Sequence, residues 1–238
     1  MPTFDLDPAL IYLNHAAVAP WPVRTAAAVA RFAEQNRHRG ATGYPHWLEV
    51  ERQLRRQLAE LIKAPSAHDI ALLKSTSEGL STIAYGLDWQ AGDNIVSIAQ
   101  EFPSNRIVWE SLGELGVELR LLDLDNSPQP EQDLIRLCDD RTRLVSVSSV
   151  QYASGLRLDL CQLGRHCRER RVLFCVDAIQ SLGALPFDVQ QNLADFVVAD
   201  GHKWLLGPEG TALFYCRAEL RSRLRLHQYG WHMVEQMG

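Results

Sequence analysis

From Asp69 to Cys216 the chain alternates short apolar runs with segments of helical spacing. The runs are DIALLK, NIVSIA, VELRLL, LVSVSSV, VLFCVD, DFVVAD and TALFYC. Between them stand STSEGLSTIAYGLDW, NRIVWESLGELG, a segment near Gln132 to Cys138, DLCQLGRHCRERR and a shorter stretch after VLFCVD. Parallel strands need long crossovers, and those crossovers lay helices over the sheet. The alternation therefore predicts an α/β fold: a mostly parallel seven-stranded sheet with helices on both faces. DFVVAD and TALFYC are too close for a helical crossover, so TALFYC is expected to run antiparallel. A short helix is expected between VLFCVD and DFVVAD.

Upstream the pattern is helical. PVRTAAAVARFAEQNRHR follows Pro22, and WLEVERQLRRQLAELI sets Leu48, Leu54, Leu58 and Leu61 roughly on one face. Ala64-Pro65 ends that helix. A formal net charge of -5 gives no reason to expect nucleic acid or an anionic membrane as a partner. The basic clusters at Arg31 to Arg39 and Arg165 to Arg171 read as solvated helix faces. The five cysteines are odd in number, form no C-x-x-C and have no metal spacing with histidine, so no metal site is expected. They suit a reducing cytoplasm. MPTFDLDPAL lacks the basic start and apolar stretch of a signal peptide, and no run approaches a membrane span in length.

In an open parallel sheet, ligands sit beyond the carboxyl ends of the strands. VLFCVD ends in Asp177. DFVVAD ends in Asp200, with His202 and Lys203 just past it. LVSVSSV leads into Gln151 and Tyr152, NIVSIA into Gln100, Glu101 and Phe102, and DIALLK into Ser75, Thr76 and Ser77. Lys203 is one of only three lysines, with Lys63 and Lys74. Asp177 and Lys203 stand 26 residues apart, about one crossover. A carboxylate and an amine at neighbouring strand ends suit pyridoxal phosphate chemistry. The amine forms an imine with the cofactor aldehyde, and the carboxylate keeps the pyridine nitrogen protonated. An ion pair closing a turn fits the same spacing. Ser75 and Glu78 form an S-x-x-E capping box, so a helix starts there and offers free N–H groups to phosphate. Plain capping is the much commoner use of that motif. No Walker loop and no G-x-G-x-x-G fingerprint is present.

The run VDAIQSLGALPFDVQ…DFVVADGHKWLLGPEGTALFY resembles the class V aminotransferases. These fold-type I pyridoxal phosphate enzymes include cysteine desulfurases, selenocysteine lyases, kynureninases and isopenicillin N epimerase. The likeness extends through YLNHAAVAP, RGATGYPHW, STSEGL, QEFPSN and VSSVQYASG and covers nearly the whole chain. It implies an enzyme bound to pyridoxal 5'-phosphate. Lys203 is then the Schiff-base lysine and the base that moves the substrate's α-proton. Asp177 pairs with the pyridine nitrogen, and Gln180 with the ring's phenolic oxygen. Thr76 and Ser77 match the phosphate-binding pair. Asp200 and His202 fall on the phosphate side, with His202 a candidate donor. Asp200 departs from the Ser of the desulfurases and would orient His202 or a backbone group. Phe102 takes the ring-stacking position, where desulfurases carry a His that also moves protons. Tyr152, in the Q-Y-x-S-G form of the kynureninase and epimerase branch, would touch the cofactor edge. Asn14 and His15 match a segment near the substrate, which makes His15 a candidate catalytic residue; capping or packing fits it equally.

The resemblance also implies a homodimer acting on an amino-acid substrate. It divides the chain into an N-terminal helical segment (1–65), a cofactor-binding large domain (66–226) and the start of a connection to a C-terminal small domain (227–238). That small domain, which would bring the arginine for the substrate carboxylate, is expected to be missing. GWHMVE, from Gly230, resembles a segment that reaches toward the partner's cofactor. None of the cysteines matches the persulfide position of desulfurases. Three readings follow: a transaminase, epimerase or lyase; a cysteine desulfurase or selenocysteine lyase; or a non-catalytic remnant acting as a binding module.

Overall fold

The seven apolar runs form one sheet in the computed structural model, which describes residues 3–230 and Met233. In chain order the elements are α1 (Val23–Arg39), α2 (Tyr44–Ile62), β1 (Ile70–Leu73), α3 (Thr76–Gly86), β2 (Asn94–Ile98), α4 (Ser104–Glu110), β3 (Glu118–Leu122), α5 (Pro130–Leu137), β4 (Thr142–Ser148), α6 (Leu160–Arg170), β5 (Leu173–Asp177), β6 (Phe196–Asp200), β7 (Ala212–Cys216) and the short α7 (Ala218–Arg221). The strand order is β1-β7-β6-β5-β4-β2-β3. β7 runs antiparallel to both neighbours, and every other pair is parallel. After β2 the chain winds outward to β3, returns to β4 and then winds the other way through β5 to β6. The reversal lies between β2 and β4, where an open α/β sheet forms its ligand crevice.

Alternate residues of each strand face opposite ways. Phe174 and Val176 join one core layer, with Ile62, Leu134 and Leu163 from the helices over that face. Leu173 and Cys175 join the other, with Leu80, Ile83, Trp109 and Leu112. This two-sided burial explains why the strands read as unbroken apolar runs.

The stretch between β5 and β6 contains turns and no helix. Gly183 explains the difference. Its φ is +96°, and a Cβ there would lie 2.1 Å from the Trp204 carbonyl oxygen. The turn is pressed against the segment that carries Lys203, which a helix could not match. The second helix ends at Ile62, where Lys63 takes a left-handed conformation, just before Ala64-Pro65. Most of GWHMVE and of the expected connecting segment lies outside the described residues. Among the described residues no helix is long and apolar enough to cross a membrane.

Candidate active site

Strand ends β2, β4, β5 and β6 and the start of α3 surround a cleft of about 540 Å³. Its walls include Thr76, Ser77, Phe102, Tyr152, Asp177, Gln180, Asp200, His202 and Lys203. Nine of the ten residues anticipated from the sequence therefore meet in one space. The tenth, His15, does not line it. Its ring instead stacks on Trp204, with centroids 5.7 Å apart, while Asn14, Ala16 and Ala17 face the cleft. A larger, mainly apolar groove of about 650 Å³ beside β1 and α3 carries none of these residues.

Asp177 ends β5 and is buried. One carboxylate oxygen accepts the Ile179 N–H at 3.1 Å, and no cation pairs with it among the described residues. Burial pushes its carboxyl up to about 7, against the opposing Ile179 hydrogen bond. Lys203 follows β6 and is also buried; its Nζ makes no hydrogen bond or ion pair among the described residues. Burial lowers its pKa, opposed by the charges of Asp177 and Asp200. The ion pair that the same spacing also fits does not form: the two groups share the cleft without neutralising each other directly. Lys203 Nζ stands 5.4 Å from the centroid of Phe102. The Phe102 ring meets Tyr152 edge to face at 5.2 Å, and both stay partly exposed at the mouth.

Ser75 caps α3 by accepting the Glu78 N–H at 3.2 Å, while Glu78 reaches back to the Lys74 N–H at 2.7 Å. The first turn then points the Thr76 and Ser77 N–H groups at the cleft end, where the positive pole of the helix lies. The Thr76 hydroxyl is buried and has no partner among the described residues. Ser77 donates to Ser104 at 2.8 Å. Asp200 Oδ1 accepts the Gly201 N–H at 2.8 Å and lies 3.0 Å from His202 Nδ1, which makes no hydrogen bond among the described residues. Gln180 donates to the Ala16 carbonyl at 2.9 Å and accepts from Trp204 Nε1 at 3.0 Å. Its amide is thus fixed in orientation with one N–H left over.

Ser104 and Trp204 were not anticipated. Both sit inside quoted motifs, Ser104 two residues after Phe102 and Trp204 beside Lys203. Their partners, Ser77 and Gln180, are distant in sequence. Among the described residues that line the cleft there is no cysteine and no arginine.

The model of the family described as aminotransferase class-V matches residues 11–238. The chain belongs to the class-V aminotransferase family. Among relatives in that family, a probable cysteine desulfurase of Methanothermobacter thermautotrophicus is 34% identical over 219 residues, covering 90% of this chain and 54% of that protein. The apo structure of a cysteine desulfurase from Thermococcus onnurineus superposes with a TM-score of 0.84 at 27% identity, covering 96% of this chain and 58% of that one. The cystine C–S lyase C-DES, in complex with its product cysteine persulfide, superposes with a TM-score of 0.86 at 25% identity, covering 92% and 60%. This class-V chain thus spans a little over half the length of the relatives it matches.

Proposed function

We propose that the cleft binds pyridoxal 5'-phosphate and serves an enzyme acting on an amino acid, of transaminase, epimerase or lyase type. The observation that carries the reading is Lys203: a buried amine sharing one cleft with a more deeply buried carboxylate, Asp177, neither of them paired among the described residues. Three further features fit the group. The orphaned Thr76 hydroxyl sits at a helix start, where a phosphate would satisfy it. The Asp177 carboxylate lacks the cation that a protonated ring nitrogen would supply. The exposed face of Phe102 offers a surface for a planar ring.

When bound, the cofactor supplies a carbonyl that condenses with amines and a ring that withdraws electrons from the substrate's α-carbon. The chain's own residues do the rest. Burial keeps Lys203 Nζ closer to its neutral form, ready to accept and return a proton. Asp177 would pair as a carboxylate with the ring nitrogen and keep it protonated. Thr76, Ser77 and the first N–H groups of α3 bind phosphate, with His202, 3.0 Å from Asp200, as a further donor. Phe102 and Tyr152 narrow the mouth and exclude water.

A homodimer belongs to the same reading. Helix α1 has no buried residue and leaves Val29 and Phe32 exposed, apolar surface that a second copy would cover. A cytoplasmic location is supported by the five free cysteines.

Desulfuration is the second reading, favoured by the names of the relatives. Phe102 in place of a proton-moving ring weighs toward the first. Titration with pyridoxal phosphate is expected to give a saturable visible band. Thr76→Val is expected to weaken that binding about tenfold, the loss of one hydrogen bond to a charged group. The cofactor-free variant should keep its full stability, because the hydroxyl it removes has no partner. No saturable band in the parent protein sinks the reading.

A further inference from the structure

Glu101 follows β2 and is 4% exposed, and among the described residues no cation pairs with it. Its carboxylate accepts the Ser148 N–H at 2.7 Å, the Ser148 hydroxyl, and Gln151 Nε2 at 3.0 Å. Ser148 ends β4 in register with Asp177 on β5, and the next residue, Ser149, donates its N–H to the Asp177 carbonyl at 2.9 Å. Glu101 therefore ties β2 to β4 at the point where the winding of the sheet reverses. It stands one residue before Phe102, and its partner Gln151 stands one residue before Tyr152. A neutral amide could make the same ties, since the Ser148 hydroxyl can accept as well as donate. What the carboxylate adds is charge, and a buried charge without a counter-ion is costly.

We propose that Glu101 is a positioning residue of the cofactor site: a second buried carboxylate, bonded to Ser148, the β4 residue in register with Asp177, whose charge makes the cleft favour a cationic ring. The inference rests on the cofactor reading above. Glu101 is itself held above the usual carboxylate range by burial, and its charge adds to the upward pressure on Asp177. Asp200 pushes in the same direction and Lys203 opposes both. His202 lines the same cleft. Asp177 and Asp200 line the cleft beside one lysine amine, and Glu101, outside that lining, adds its charge; a protonated ring nitrogen would relieve the excess of negative potential.

Glu101→Gln tests this, because it keeps the shape and removes the charge. Three quantities are compared with the parent protein: thermal unfolding without cofactor, affinity for pyridoxal phosphate, and affinity for an analogue with carbon in place of the ring nitrogen. The cofactor-free variant is expected to melt about 2–4 °C higher, as a buried unpaired charge is gone. Its affinity for pyridoxal phosphate should fall about tenfold, the equivalent of one pKa unit, and its affinity for the analogue by less than about twofold. A lower melting temperature, a variant that does not fold, equal losses for the two ligands, or full affinity for both overturns the proposal. A parent protein that binds neither ligand overturns the cofactor reading and this inference with it. A parent that binds both, beside a variant of unchanged affinity, overturns this inference alone.

Discussion

Lys203→Ala is expected to lower turnover on an amino acid by on the order of 10²–10⁴-fold, the range for loss of a positioned general base. The variant should also lose any bond to pyridoxal phosphate that borohydride can fix. The chain has only two other lysines, Lys63 and Lys74, so two controls exhaust the alternatives. Lys63 pairs with Asp188 at 3.1 Å, and its side chain is 63% exposed. Lys203 differs by burial and by the absence of a carboxylate close enough to pair. Lys63→Ala and Lys74→Ala should keep turnover within about twofold, as surface substitutions usually do. Steady-state kinetics of the three variants on the same substrate makes the comparison. Undiminished turnover in Lys203→Ala contradicts the assignment.

Asp177→Asn is expected to divide stability from activity. The Asp177 carboxyl is pushed up to about 7 in the folded protein, above the unfolded value of about 3.9. Between those two pH values the folded state holds a proton that the unfolded chain has released. Stability without cofactor therefore falls as pH rises through that window, and the loss is complete above about pH 7. Asparagine removes that pH dependence. The cofactor-free variant should match the parent near pH 4 and exceed it at pH 8, read as the difference between two urea unfolding curves at each pH. Turnover should fall by on the order of 10²–10³-fold, the usual effect of removing a preorganised charge from an active site. A variant less stable than the parent at pH 8 would mean that Asp177 is held by structural bonds the amide cannot make.

The strands were legible because a sheet covered on both faces demands uninterrupted apolar runs. VLFCVD and DFVVAD carry that demand with a carboxylate at each end. Asp177 and Lys203 could be paired from sequence because β5 and β6 are consecutive and adjacent. The turn before β6 was not legible as a turn. Its conformation is set by contact between Gly183 and Trp204, residues on different segments. For His15 the sequence left substrate contact and packing open, since a polar residue in an N-terminal loop gives no local sign that an indole 189 positions later will meet its ring. The Glu101 tie to Ser148 was equally hidden. β2 and β4 are not consecutive strands, so their adjacency becomes visible only with the sheet order.

The central claim is that the amine of Lys203, and no other in this chain, takes pyridoxal phosphate. Borohydride reduction of the protein mixed with the cofactor, followed by peptide mass mapping, tests it most directly. The predicted result is one cofactor added to the peptide that contains Lys203, with the peptides of Lys63 and Lys74 unmodified. Cofactor fixed on either of those two lysines, or on none, would contradict it.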